Sequence, residues 1–166
     1  GRERTGALAQ QLLEVLLLHR QLGLEPELGA QVDLAAGNAS SNPAGLTAVG
    51  DALYFRANDN VHGYELWKSD GTSAGTVPVA DIRPGAGSSY ARSFTDVNGT
   101  LYFVANDGVN GYELWKTDGT SAGTGLVADI ISGSIGSKPQ NLVEFNGQLI
   151  FTVAGKLWTS GDDVVQ

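Results

Sequence analysis

The chain is expected to adopt a mainly β fold of β-propeller-like blades, each of four antiparallel strands, with about three blades' worth of strands and a short N-terminal α-helical segment. Three observations predict this. The run at residues 111–124, Gly-Tyr-Glu-Leu-Trp-Lys-Thr-Asp-Gly-Thr-Ser-Ala-Gly-Thr, has already occurred at residues 63–76, with Ser69 in place of Thr117. Residues 53–100 and 101–148 align without a gap and share roughly 28 identical positions, so the period is about 48 residues. Each unit also holds four short β-forming runs and one tryptophan, Trp67, Trp115 or Trp158. Four strands in a period of this length suit sheets packed face to face around an axis. A β-solenoid is the competing architecture, with an unusually large coil.

In the second unit the strand candidates are residues 93–97, 101–105, 112–116 and 125–130. Asn98-Gly99 between the first two is a two-residue hairpin signal because both residues tolerate positive φ, and Asn146-Gly147 repeats it. Asp70-Gly71-Thr72 and Asp118-Gly119-Thr120 read as turns, since Asp can bond an amide two residues on. Along Leu101-Tyr102-Phe103-Val104 both faces are apolar, as in a strand covered on two sides. The third unit is shorter. It keeps Leu157-Trp158 but loses the Glu and the Asp-Gly-Thr turn, as terminal repeats do.

Upstream, Asp33-Leu34 aligns with Asp81-Ile82 and Asp129-Ile130, so a partial repeat supplies a last strand around residues 32–35. Residues 1–27 form a separate segment, and 28–166 form the repeat domain, with units at about 53–100, 101–148 and 149–166 (partial). Across residues 5–22 the polar Gln10, Gln11, Glu14 and Gln21 share one helical stripe, and leucines cover most of the remaining girth. Such a helix needs burial on several sides. It can pack on its own β domain, insert into a protein partner or lie on a membrane surface.

Composition narrows the function classes. The 42% hydrophobic content supports a core, and 23 glycines against 5 prolines indicate many tight turns. A net charge of −8 argues against nucleic acid, because phosphate backbones need clustered Lys and Arg. With no cysteine, neither a disulfide nor a thiolate zinc site can form. No apolar run reaches the length of about 20 residues that spans a bilayer, so no transmembrane segment is expected. The chain starts at Gly1, which reads as a processed or excised segment.

Catalytic, cofactor-binding and metal-site residues are all expected to be none. The two histidines are His19 and His62, and the second repeat places Asn110 where His62 stands, which reads as a loop residue. No serine sits in Gly-x-Ser-x-Gly. The recurring acids are Asp59 and Asp107 in Asn-Asp loops, Asp70 and Asp118 in turns, and Asp33, Asp81 and Asp129 at strand ends. Calcium, which takes six to eight oxygens, is the one ion they leave open, but the spaced Asp-x-Asp-x-Asp-Gly pattern is missing and turn stabilisation accounts for most of them. Glu65 and Glu113 share a strand face with tryptophan, as buried or interfacial carboxylates paired with Lys or as functional ones. Tyr90 stands out as a loop aromatic for sugar recognition.

From residue 28 to about 158 the chain resembles the bacterial ELWxxDGT repeat proteins, whose motif stands here at Glu65-Leu66-Trp67-Lys68-Ser69-Asp70-Gly71-Thr72 and again at residues 113–120. The resemblance implies a secreted or cell-surface location, a propeller-like architecture and a scaffolding or binding role, and it carries over no active site. The expected function is a non-enzymatic structural or protein-binding module of a bacterial extracellular assembly. A glycan- or calcium-binding module is the alternative. Partners are expected at unpaired strand edges, including self-association, and at the Leu-rich helix.

Overall fold

The computed structural model describes residues 34–35 and 39–160. Among these residues there are eleven strands and no helix. The strands are β1 (Ala44–Val49), β2 (Ala52–Asn58), β3 (Tyr64–Ser69), β4 (Val77–Ala80), β5 (Arg92–Val97), β6 (Thr100–Asn106), β7 (Tyr112–Thr117), β8 (Gly125–Ala128), β9 (Gln140–Phe145), β10 (Gln148–Val153) and β11 (Lys156–Thr159). They form three antiparallel sheets in chain order, β1-β2-β3-β4, β5-β6-β7-β8 and β9-β10-β11.

Local turn chemistry sets these hairpins. Asn98 and Gly99 take φ of 53° and 84°, and Asn146 and Gly147 take 51° and 80°, the paired positive values a two-residue turn needs. The register of the second sheet repeats the first, with Phe55 opposite Trp67 and Phe103 opposite Trp115. One close approach also depends on glycine. Gly111 (φ 73°) and Gly136 (φ 67°) let the start of β7 and the loop before β9 cross, and a Cβ on either would enter the other segment's backbone.

Side chains alternate between two interfaces. Leu101, Phe103 and Ala105 on β6 point toward the first sheet and join Val49, Tyr54, Leu66, Val79 and Ile82 in one core. Tyr102, on the opposite face, joins Val97, Leu114, Leu149, Phe151 and Val153 in a second core against the third sheet. The middle sheet is therefore covered on both sides, which is why its central strand is apolar on both faces. On the first sheet's other face Phe55, Ala57 and Trp67 form a smaller cluster with Leu34 and Leu53.

The expected propeller-like fold with an N-terminal helix is corrected. The described residues form an all-β structure with no closed propeller or barrel. The contacts run from β1 to β5 and from β5 to β9, and the far face of the third sheet keeps Val143, Phe145 and Leu157 exposed. Closure would require that face to be covered, and three sheets fall short of the four to eight that complete a ring. The helix expected over residues 5–22 lies outside the described residues. The expected upstream strand is corrected in its visible part, since Leu34 and Ala35 are not in a strand.

Candidate binding site

Each Asn-Asp loop is braced by its own aspartate. Asp59 Oδ1 accepts the amides of Val61 (2.9 Å) and His62 (2.7 Å), and Oδ2 meets His62 Nδ1 at 2.7 Å. In the second unit Asp107 Oδ1 accepts the amides of Val109 and Asn110, both at 2.8 Å, and Oδ2 accepts Asn110 Nδ2 at 2.8 Å. His62 therefore holds its loop as Asn110 does. Burial raises the pKa of Asp59, but the His62 and Val61 hydrogen bonds outweigh it and hold the carboxyl below its ordinary value. The hydrogen bond to Asp59 raises the pKa of His62.

The Asp-Gly-Thr-Ser-Ala-Gly-Thr turns are wired in the same manner twice. Asp70 Oδ1 accepts Thr72 N (2.9 Å) and Thr72 Oγ1 (2.7 Å), Thr72 Oγ1 accepts Gly75 N (2.9 Å), and Thr76 Oγ1 donates to Thr72 O (2.6 Å). Asp118, Thr120, Gly123 and Thr124 reproduce these bonds with distances within 0.1 Å. A Cβ on Gly75 or Gly123 would collide with the carboxylate of Asp70 or Asp118, so the second glycine of the motif leaves room for the first aspartate. The threonine side-chain bonds hold both carboxyls below the usual range.

Glu65 and Glu113, buried on β3 and β7, pin a distant loop. Glu65 Oε1 accepts Ser89 N at 2.9 Å and Oε2 accepts Ile82 N at 3.2 Å. Glu113 Oε1 accepts Ser137 N at 2.6 Å, and Oε2 accepts Ile130 N at 3.3 Å and the Ser137 hydroxyl. Each carboxylate thus ties the segment leading to the next sheet back onto the middle of its own sheet. The expected lysine partner is corrected. The glutamate's partners are amides and serine, while Lys68 Nζ reaches across to the next unit and donates to Gly119 O at 2.7 Å.

Burial pushes the Glu65 carboxyl up to about 7, against the pull of its amide donors. Its ordinary value is 4.5, so the folded state binds this proton more tightly than the unfolded chain. The stability Glu65 contributes is complete below the unfolded value and is lost as pH rises through the folded one. The urea midpoint of the native chain is therefore expected to fall relative to that of Glu65→Gln between pH 4.5 and about 7. A constant difference between the two proteins across that window would refute the assignment.

Beside this pin lies a cleft of about 220 Å³ lined by Asp59, His62, Glu65, Trp67, Pro78 and Asp81. It brings three sequence-singled acids and one histidine to one place, yet Asp59, His62 and Glu65 are engaged in the bonds above. Among the described residues no three His, Asp or Glu side chains are arranged to hold a metal ion. Asp81 accepts Gly85 N at 3.3 Å, and Asp33 and His19 lie outside the described residues. Tyr90 is exposed at the surface and stacks on Tyr64 with ring centroids 5.7 Å apart, with the Arg56 guanidinium 5.4 Å from the Tyr64 ring.

Ser89, Ser137 and Lys68 are the participants that sequence reading overlooked. Recurrence offered the signal for the serines, since each stands 24 residues after its glutamate. For Lys68 there was none, because its target, the Gly119 carbonyl, belongs to the next unit. No helix among the described residues is long and apolar enough to cross a membrane. No protein-family model matches the chain, and no curated protein matches it.

Proposed function

We propose that this chain is a non-enzymatic structural or protein-binding repeat module of the ELWxxDGT kind, working in a bacterial cell-surface or extracellular assembly. One observation carries the reading. The residues that recur between units, Asp59/Asp107, Asp70/Asp118 and Glu65/Glu113, spend their carboxylates on amides, hydroxyls and, at Asp59, the His62 ring of their own unit. Repetition here preserves a shape. The extracellular placement rests on the family resemblance alone.

A second reading, a glycan- or calcium-binding module, is favoured by the cleft against Trp67 and by the exposed Tyr90–Tyr64 stack. Thermal unfolding with added calcium, with a chelator and with a panel of oligosaccharides separates the two. The midpoint is expected to stay the same in every condition. Any ligand that binds only the folded state at 100 times its Kd would add about 2.7 kcal/mol, so a rise of several degrees would replace the structural reading with the ligand-binding one.

A further inference from the structure

We infer that Asn146-Gly147, the turn joining β9 to β10, is a site of spontaneous deamidation, and that its conversion releases the neighbouring turn at Asn98-Gly99. The inference goes beyond the structural reading above and does not depend on it. Asn-Gly steps occur in the repeat domain at 98–99, 110–111 and 146–147. In such a step the glycine nitrogen can attack the asparagine Cγ, and the absence of a Cβ leaves that nitrogen unhindered. An N–Cγ bond forms, the Cγ–Nδ2 bond breaks, and ammonia leaves with the proton that the glycine amide gives up. Water then adds to one carbonyl of the five-membered imide. The ring opens to aspartate or to isoaspartate, which carries one extra methylene in the main chain.

The three steps share a sequence, and the fold ranks them. Asn110 Nδ2 donates to Asp107 Oδ2 at 2.8 Å, and Gly111 is packed so closely on residues 134–136 that its nitrogen has no room to turn toward the side chain. Asn98 and Asn146 form a matched pair. Both are exposed at hairpin tips, with φ of 53° and 51°. In both, the glycine amide donates to the carboxylate three residues before it, Gly99 N to Asp96 Oδ1 at 2.9 Å and Gly147 N to Glu144 Oε1 at 2.7 Å. These features slow both turns and do not separate them. The difference lies in the leaving amide. Asn98 Nδ2 donates to Gly147 O at 3.1 Å, across to the other tip, and this bond must break before Cγ can swing over Gly99 N. Among the described residues the Asn146 side chain has no hydrogen-bond partner, so it turns freely in solvent. The two tips are also coupled. Gly147 O, the acceptor that holds Asn98, lies just beyond the main-chain link that isoaspartate lengthens, so conversion at 146 displaces it and frees Asn98 to react next.

The test incubates the full chain at mildly alkaline pH, one sample folded and one unfolded in urea. Peptide mapping by mass spectrometry follows each Asn-Gly step, with chromatography separating aspartyl from isoaspartyl peptides. Each folded rate is taken relative to the unfolded rate of the same step, which removes the contribution of local sequence. On that scale Asn146 is expected to convert about fivefold faster than Asn98, the factor that one net hydrogen bond supplies, and Asn110 is expected to trail Asn98. Asn98 is expected to quicken in chains that already hold isoaspartate at 146. An Asn146→Asp variant brings the charge without the extra methylene, so its Asn98 should stay as slow as in the unconverted native chain. Folded rates that are equal at Asn146 and Asn98, a faster Asn98 or Asn110, or no folded conversion at 146 while the unfolded sample reacts would each overturn the site. An Asn98 that converts no faster in isoaspartyl chains, or just as fast in the aspartate variant, overturns the coupling.

Discussion

Replacing Glu113 with alanine is expected to lower the unfolding free energy by about 3 kcal/mol, since each buried donor left unsatisfied costs roughly 1–3 kcal/mol. The carboxylate is fully buried and accepts the amides of Ser137 and Ile130 together with the Ser137 hydroxyl. The Ser137 donors are buried and would be left without an acceptor, and alanine also leaves a void beside Ala105, the cross-strand partner of Glu113. Glu113→Gln keeps the volume and one acceptor oxygen, so its loss should be about half as large, and the contrast separates hydrogen bonding from packing. Urea unfolding of both variants at neutral pH measures this. An alanine variant within about 1 kcal/mol of the native chain would mean that water replaces the carboxylate and that the loop is not pinned. Ser137 lies on the path into β9, so hydrogen exchange is expected to quicken in that segment before it does in β6.

Phe103→Ala is expected to cost about 3–5 kcal/mol, the range for deleting a large buried aromatic from a core that collapses only partly. Phe103 is wholly buried between the first two sheets and lies 6.1 Å, centroid to centroid, from the tilted ring of Phe94. Its loss empties the centre of the interface that joins the repeats. Phe151→Ala, at the same strand position in the third sheet, provides an internal comparison. That residue packs on Trp158 with centroids 6.3 Å apart, and the sheet behind it is open on its far side. The same urea experiment compares them. A Phe103 variant that loses less than about 1.5 kcal/mol would show that the sheets are stable independently of one another.

Much of the local architecture was legible because it depends on neighbours in the chain. Asn98-Gly99 and Asn146-Gly147 needed only their own tolerance of positive φ, and the strands they join fall within about two residues of expectation. The aspartate turns were legible for the same reason, since Asp70 bonds atoms two residues ahead. The glutamate pins were harder. Burial was one of the stated alternatives, but a partner 24 residues away in a loop gives no periodic signal. The lysine expected beside Glu65 instead bridges to the next unit, because its strand position points toward the second sheet. The site cleft was not legible at all, since it gathers Asp59 from one loop and Asp81 from another.

Repetition and alternation along the chain were sufficient for the strands of the second unit, the hairpins, the aspartate turns and the two-sided middle sheet, because each follows from interactions a few residues long or from a face that must be covered. Packing over long distances settled the rest. Three sheets stacked by period give two buried interfaces and leave Leu46 at one end and Phe145 and Leu157 at the other exposed. A propeller-like architecture was expected from the same repeat, but closure depends on how many sheets are present to bury the last apolar face. That is a property of the assembled surface, which no single unit of the repeat encodes.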